Sequence, residues 1–276
     1  MYKYFLAFLL LCHNVSLQGI IVEHNTIESI LQYTNTPGTL VVFDIDNTLA
    51  TSAREIGSDQ WFSYLISQKL KVGMELEHAI NSILPTYFHV AFQVPMIPVE
   101  TTTPSVVKQL HEKNIPTLAL TARSLHIADR TLDQLANMGI HLSIPHIQQK
   151  EMFLTLPTHI PSMYKQGILF SGSNNKGDVL LEFFKEANYY PKMVIFVDDK
   201  RKYLEQVEKT LETKAIPFIG VRYGGCDERV KNFDPIEAEY ELAQFKAGLL
   251  PEQKSFSLFS YISDWVRSLT KCFMPS

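Results

Sequence analysis

Apolar residues along this chain gather in short dense runs, and between the runs they recur every three or four positions. The dense runs are residues 40–43, 116–120, 168–170, 193–197 and 216–221. Each is the length of a strand and too short for a helix, and continuous apolar character marks a strand buried on both faces. The spaced stretches predict helices. Ile27, Ile30 and Leu31 form one face of a short helix over 25–33, and Trp61, Phe62, Tyr64, Leu65 and Ile66 mark a second. Leu76, Ala79, Ile80, Ile83 and Leu84 mark a third, expected to break at Pro85. Further helices are expected from Thr103 to His111, from Ser124 to Met138, from Asp178 to Ala187, through Leu204 and Val207, and over 235–247 and 256–269. Residues 140–167 read as irregular and short-stranded. Strands alternating with helices specify an α/β fold on a parallel sheet. The long helical stretch after the run at 40–43 reads as an insertion.

The chain has 276 residues, 46% hydrophobic and 20% charged, with a formal net charge of −4. That is a globular composition, and it lacks the basic excess that nucleic-acid binding calls for. The amino terminus departs from it. Lys3 precedes the apolar block Phe5 to Cys12, which is too short to span a bilayer and has the form of a secretory leader. The expected mature protein is therefore secreted or periplasmic and has no stable membrane span. With residues 1–19 removed as a signal peptide, Cys226 and Cys272 remain, either paired or as two free thiols.

Candidate chemistry sits where the apolar runs stop. The first run ends on Asp44 and Asp46, two carboxylates at i, i+2, followed by Asn47 and Thr48. Period-two geometry puts both acids on one side of the chain, where they repel unless a cation or shared proton intervenes. The run at 193–197 ends on a second pair, Asp198 and Asp199. Between them in order come Thr121, at the end of the 116–120 run, and Lys176, at a helix start where the dipole disfavours a cation. Two acidic strand ends, a hydroxyl and a lysine suit phosphoryl transfer. Mg²⁺ takes oxygen ligands from few carboxylates, and Asp44 with an acid from the Asp198/Asp199 pair can supply them. Thr121 and Lys176 can hold phosphoryl oxygens.

In this order and placement the four features resemble the four motifs of the haloacid dehalogenase-like superfamily, over residues 40–221. The resemblance implies a Rossmann-like parallel sheet with a small helical cap inserted after the first strand. It places the core at 20–50 and 104–234, the cap at 51–103, and the C-terminal helices, 235–276, against the core. It implies that Asp44 is the nucleophile and that Asp46 protonates the leaving group, then activates water, and touches the metal through its main-chain carbonyl. Thr121 and Lys176 take the second- and third-motif roles. Asp199 is the better candidate for direct coordination, and Asp198 acts through water or fixes Lys176. The implied enzyme is a Mg²⁺-dependent phosphatase acting on a small phosphorylated substrate or a phosphoprotein. A phosphotransferase, or a non-catalytic exported interaction protein on the same fold, are the alternatives. The leader and core together also resemble, loosely, a poorly characterised family of exported proteins from intracellular bacteria. Trp61, Tyr64, Tyr87 and His89 are the aromatic candidates for substrate contact from the cap. Arg123 is either a substrate-anion ligand or a solvated helix-start residue.

Overall fold

The structure, a computed structural model, describes residues 19–148 and 150–250. The chain runs β1 (Ile20–His24), a 3-10 helix (Ile27–Tyr33), β2 (Thr39–Phe43), β3 (Ala50–Ser52), α1 (Asp59–Lys71), α2 (Leu76–Gln93) and β4 (Met96–Pro98). It continues α3 (Thr103–Glu112), β5 (Thr117–Thr121), a 3-10 turn (Leu125–Ile127), α4 (Ala128–Asn137), β6 (Glu151–Leu154), β7 (Ser162–Lys165) and β8 (Ile168–Phe170). It ends α5 (Lys176–Glu186), β9 (Met193–Asp198), α6 (Arg201–Glu212), β10 (Phe218–Tyr223), α7 (Asp227–Lys231) and α8 (Pro235–Lys246).

Eight strands form one sheet in the order β1-β10-β9-β2-β5-β8-β7-β6. The pairings from β1 through β8 are parallel, and the β6–β7–β8 edge is antiparallel. This is the expected Rossmann-like α/β fold. All five residues of β2 are buried, which is why its sequence is a continuous apolar run rather than an alternating one. Its alternate residues still face different layers. Val41 and Phe43 pack with the 3-10 helix, α3 and α4 through Ile27, Ile30, Val106, Leu110 and Leu135. Leu40 and Val42 pack with α5 and α6 through Val179, Phe183, Leu204 and Val207. From β2 the sheet grows in both directions, to β5 on one side and β9 on the other. The carboxyl end of β2 therefore lies at a topological switch point, the usual place for a ligand crevice in an open α/β sheet.

Three features differ from the expectations. The strand carrying Asp44 is the second in the chain, because β1 precedes it and pairs with β10 at the sheet edge. Helix α2 continues through Pro85 to Gln93. Pro85 and Asn81 are both exposed, so the carbonyl that loses its partner to the proline faces water. Helix α8, expected on the core, packs instead on the helices between β2 and β5. Ala238 is buried with Ile56, Trp61, Val90 and Val94, joined by Leu242 and Phe245. The Glu241 carboxylate seals this contact by accepting from the Ile56 backbone N–H at 3.0 Å. The expected leader and the helix over 256–269 lie outside the described residues, as does Cys272. Cys226 is buried as a free thiol.

Helix α5 meets α6 closely at Gly177, beside Lys176. A Cβ there would collide with Thr210 Oγ1 and sit 2.9 Å from the Gln206 carbonyl oxygen. The second neighbour is backbone and cannot swing aside. Gly177→Ala should therefore destabilise the fold by about 1–3 kcal/mol through overpacking, despite alanine's preference for helices. Urea unfolding of the variant checks this, and a midpoint at or above that of the wild type would contradict it.

Candidate active site

Register builds the site. β2 and β9 pair with Phe43 opposite Val197, and the Asp44 N–H continues the ladder to the Val197 carbonyl at 2.8 Å. The next residue of each strand is an aspartate, so Asp44 and Asp198 emerge side by side. Immediately after, the chain turns sharply. The Ile45 carbonyl accepts from the N–H groups of Thr48, Leu49 and Ala50, and Asn47 takes a left-handed φ of 61°. Asparagine tolerates that conformation better than most residues. The turn brings the Thr48 hydroxyl to the Asp199 N–H, 3.2 Å away, and so fixes the loop after β9.

Lys176 lies between the two strand ends. Its ammonium donates to Asp44 Oδ1 at 2.6 Å and to Asp198 Oδ2 at 2.7 Å, and it sits 4.3 Å from the centre of the Tyr203 ring. Asp198 and Lys176 have no exposed surface, and Asp44 is 6% exposed. The second oxygen of Asp198 accepts from the Lys200 N–H at 2.7 Å. Asp198 is thus fully engaged, whereas the Asp199 carboxylate has no hydrogen-bond donor among the described residues. One oxygen from each of Asp44, Asp198 and Asp199 lies within 4.8 Å of the others.

The electrostatics follow from this crowding. Burial, opposed by Lys176 and reinforced by Asp198 and Asp46, pushes the Asp44 carboxyl up to about 7. Burial, with Asp44 and Asp198 adding to it, pushes Asp199 up to about 8. Asp46 behaves oppositely. Burial alone would raise it, but the Arg123 guanidinium holds it below the ordinary carboxylate range. Arg123 grips Asp46 with both prongs, Nε to Oδ2 at 2.8 Å and Nη2 to Oδ1 at 2.7 Å. The Asp46 carboxylate therefore stands apart from the Asp44–Asp198–Asp199 trio. Thr121 is 1% exposed at the end of β5, and its hydroxyl oxygen accepts from the Arg123 backbone N–H at 3.2 Å.

Of the four aromatic candidates, three serve packing. Trp61 stacks on Tyr87 within the small apolar cluster, Tyr64 donates to Glu239, and the His89 ring meets Phe245 edge to face. Tyr87 alone feels the site, because burial and then the Asp46 charge raise its phenol. Two further charged residues border the site without having been singled out. Lys200, directly after Asp199, pairs with Asp59 of α1 at 2.8 Å. The reasoning that singled out Lys176, a lysine at a helix start against the dipole, applies equally to Lys200 at the N-cap of α6. Beside Asp59, Gln60 is buried and reaches Asn47.

The carboxylates Asp44, Asp46, Asp59, Asp198 and Asp199 share this region with Lys176, Arg123 and Lys200. Acids thus exceed cations by two charges, and every cation is already paired. A cluster of hard oxygen donors with a deficit of two positive charges fits a divalent cation such as Mg²⁺.

The family described as "Protein of unknown function (DUF2608)" matches residues 22–253, and the chain belongs to it. A protein of Chlamydia trachomatis serovar D named "Putative outer membrane protein" is 24% identical over 66% of this chain and 68% of its own length. A Chlamydia pneumoniae protein of the same printed designation is 24% identical over 95% of this chain and 98% of its own. Among solved structures, a haloacid dehalogenase-like family hydrolase from Streptococcus pneumoniae aligns with a TM-score of 0.40 and 15% identity, covering 66% of this chain and 93% of that one.

The raised carboxyls dictate an unusual pH dependence. Both Asp44 and Asp199 hold their protons more tightly folded than in the unfolded chain, where aspartate titrates near ~4. Their contribution to stability is thus fully present below about pH 4 and is lost as pH rises through about 7 to 8. Asp46, with a depressed value, loses its contribution only on acidification, outside that window. In EDTA the melting temperature should fall between pH 5 and 8.5, and Asp199→Asn should flatten the fall. A melting temperature that climbs across the window in EDTA would refute this account.

Proposed function

We propose that this protein is a Mg²⁺-dependent phosphatase that hydrolyses a phosphate monoester through an aspartyl phosphate on Asp44. The observation that carries the reading is the Lys176 bridge. It holds a buried aspartate by one oxygen at a strand end, with two more carboxylates beside it. A carboxylate pinned at Oδ1 keeps Oδ2 as an aimed nucleophile. In the first step Asp44 Oδ2 bonds to phosphorus and the phosphorus–ester oxygen bond breaks, while Asp46, ionised beside Arg123 until substrate arrives, takes the proton of a phosphate monoanion and passes it to the leaving oxygen. In the second, Asp46 takes a proton from water, the water oxygen bonds to phosphorus, and inorganic phosphate leaves as the Asp44 carboxylate reforms. Thr121 and Lys176 stabilise the equatorial oxygens of the transferring group. Asp44, Asp199 and the Asp46 main-chain carbonyl would hold Mg²⁺, with Asp198 acting through water or through Lys176, and the ion would supply the positive charge that lets a carboxylate approach an anionic phosphate.

The residues at the mouth of the site, Tyr87, Asp59, Gln60 and Lys200, offer an aromatic face and both signs of charge, which suits a small phosphorylated molecule or a phosphorylated side chain. The apolar leader and the names carried by the chlamydial relatives support an exported location, secreted or periplasmic. None of the described helices is long and apolar enough to cross a membrane.

Rapid-quench phosphorylation tests the chemistry. Asp44→Asn should form no phosphoenzyme. Asp46→Asn should still form one from a nitrophenyl phosphate but lose about 10²–10⁴-fold with an alkyl ester, whose leaving group needs the proton. A phosphoenzyme in Asp44→Asn would overturn the assignment, and an equal loss for both esters would remove the acid role of Asp46. Trapping with an added alcohol distinguishes hydrolysis from transfer. For the metal, Mg²⁺ at a hundred times its dissociation constant should add about 2.7 kcal/mol to stability, and Asp199→Ala should lose most of that gain. A wild-type melting temperature indifferent to Mg²⁺ would count against the site.

A further inference from the structure

Arg123 was expected to bind a substrate anion or to be solvated. It does neither. Its side chain is only 8% exposed, and its hydrogen bonds are already committed. Nε and Nη2 fork onto Asp46, while Nη1 donates to Thr131 Oγ1 at 3.1 Å and to Gln134 Oε1 at 2.9 Å. The direction of each outer bond is fixed. The Thr131 hydroxyl spends its hydrogen on the Ile127 carbonyl at 2.8 Å, so its oxygen must accept from Arg123. The Gln134 amide gives its NH₂ to the Ala91 carbonyl at 3.1 Å, so its oxygen must face Arg123. Ala91 lies in the last turn of α2, where carbonyls have no partner within their own helix. That carbonyl, at the end of the inserted helix, thus takes its shorter hydrogen bond from the glutamine that holds the arginine that holds Asp46, with Arg130 Nε a longer second donor at 3.4 Å.

We propose that Arg123 is a positioning residue for Asp46, and that through Gln134 it ties the orientation of that carboxylate to the seating of α2 on the core. The proposal rests on the phosphatase reading for the role of Asp46, but the tie itself does not depend on it. A planar fork making two parallel bonds fixes the plane of a carboxylate as well as its place, and a lysine cannot reproduce this. An Asp46 side chain free to turn about its own bonds would meet the leaving oxygen and the attacking water in few of its orientations. Misplacement by about 1 Å costs on the order of 10²-fold in rate.

The test uses the full-length protein with Mg²⁺ and four variants, Arg123→Lys, Gln134→Met, Asp46→Asn and the double variant Arg123→Lys/Asp46→Asn. Arg123→Lys keeps the charge and removes the fork. It should slow phosphoenzyme formation from an alkyl phosphate, and breakdown of the phosphoenzyme, by about 10–100-fold. Phosphorylation by a nitrophenyl ester should change little. In the Asp46→Asn background the same substitution should cost nothing more. Equal losses with both esters, or full additivity with Asp46→Asn, would overturn the positioning role. Amide hydrogen exchange reads the tie without turnover. Arg123→Lys and Gln134→Met should each speed exchange in the last turn of α2 while leaving β2 and β9 protected, and unchanged exchange there would overturn the tie. A wild type that forms no phosphoenzyme from either ester refutes the phosphatase reading and with it the proton-transfer role, whereas the exchange result decides the tie in either case.

Discussion

The bridge from Lys176 to Asp44 and Asp198 is the interaction on which the rest of the site depends. All three side chains are buried at the end of the sheet. Two carboxylates emerge there because β2 and β9 are paired in a register that leaves no alternative. Removing the lysine would leave two buried charges without the cation that pairs them, the kind of loss that costs about 3–5 kcal/mol. The lysine in turn sits at the start of α5, where the helix dipole opposes it. The two carboxylates and the Tyr203 ring outweigh that penalty, and the close approach of α5 to α6 at Gly177 keeps the ammonium between the strands. Fold and site are therefore one structure at this point. The packing of helices on one face of the sheet decides where a charge sits at its end.

The bridge also leaves something over. A single ammonium cannot balance Asp44, Asp198 and Asp199 together, and Asp198 is further occupied by the Lys200 N–H. The surplus falls on Asp44 and Asp199, and both respond by holding protons near neutral pH. A protein gains nothing in stability from such an arrangement. Clustered acids whose pKa values are lifted by burial and by one another mark a place kept for chemistry rather than for folding. Asp46, only two residues from Asp44, escapes this by turning to Arg123, so neighbouring carboxylates on one short loop are driven to opposite ends of the carboxylate range.

The parts of this picture legible in the sequence are those written in short range. The buried strands announce themselves as apolar runs, and strand ends carrying Asp44, Thr121 and Asp198 can be placed without coordinates. Lys176 stands out because it is wrong for a helix start. Long-range pairings were not legible. Asp46 and Arg123 are 77 residues apart, and nothing in either neighbourhood says that the guanidinium turns inward to a carboxylate rather than outward to a ligand. The same holds for α8, whose apolar positions identify a helix that packs somewhere but not the surface it packs on. β1 was missed because its exposed and half-buried residues at the sheet edge lack the dense apolar signature of the central strands. The break expected at Pro85 does not occur, and α2 runs on to Gln93 with Pro85 and Asn81 both on its exposed side.

The seam between the inserted helices and the core is built differently from either layer of the core. Apolar contact crosses it where Met96 and Val99 pack on the core and where the Phe88 and His126 rings meet, and its polar links include Lys200 to Asp59, Gln134 and Arg130 to the Ala91 carbonyl, and Asn47 to Gln60 at 3.3 Å. The last of these has a fixed sense. The thiol of Cys226 and the hydroxyl of Thr51 both donate to Asn47 Oδ1, so Asn47 presents its NH₂ to Gln60, and Gln60 must answer with its oxygen. Its own NH₂ is then buried with no hydrogen-bond partner. An unsatisfied buried donor costs about 1–3 kcal/mol, and a partly exposed ion pair such as Lys200–Asp59 contributes at most about 1. The apolar cluster that stabilises the insertion, around Trp61, Val90 and Ala238, belongs to the insertion and α8 rather than to the sheet. The unpaired Gln60 donor is thus a cost that this seam carries.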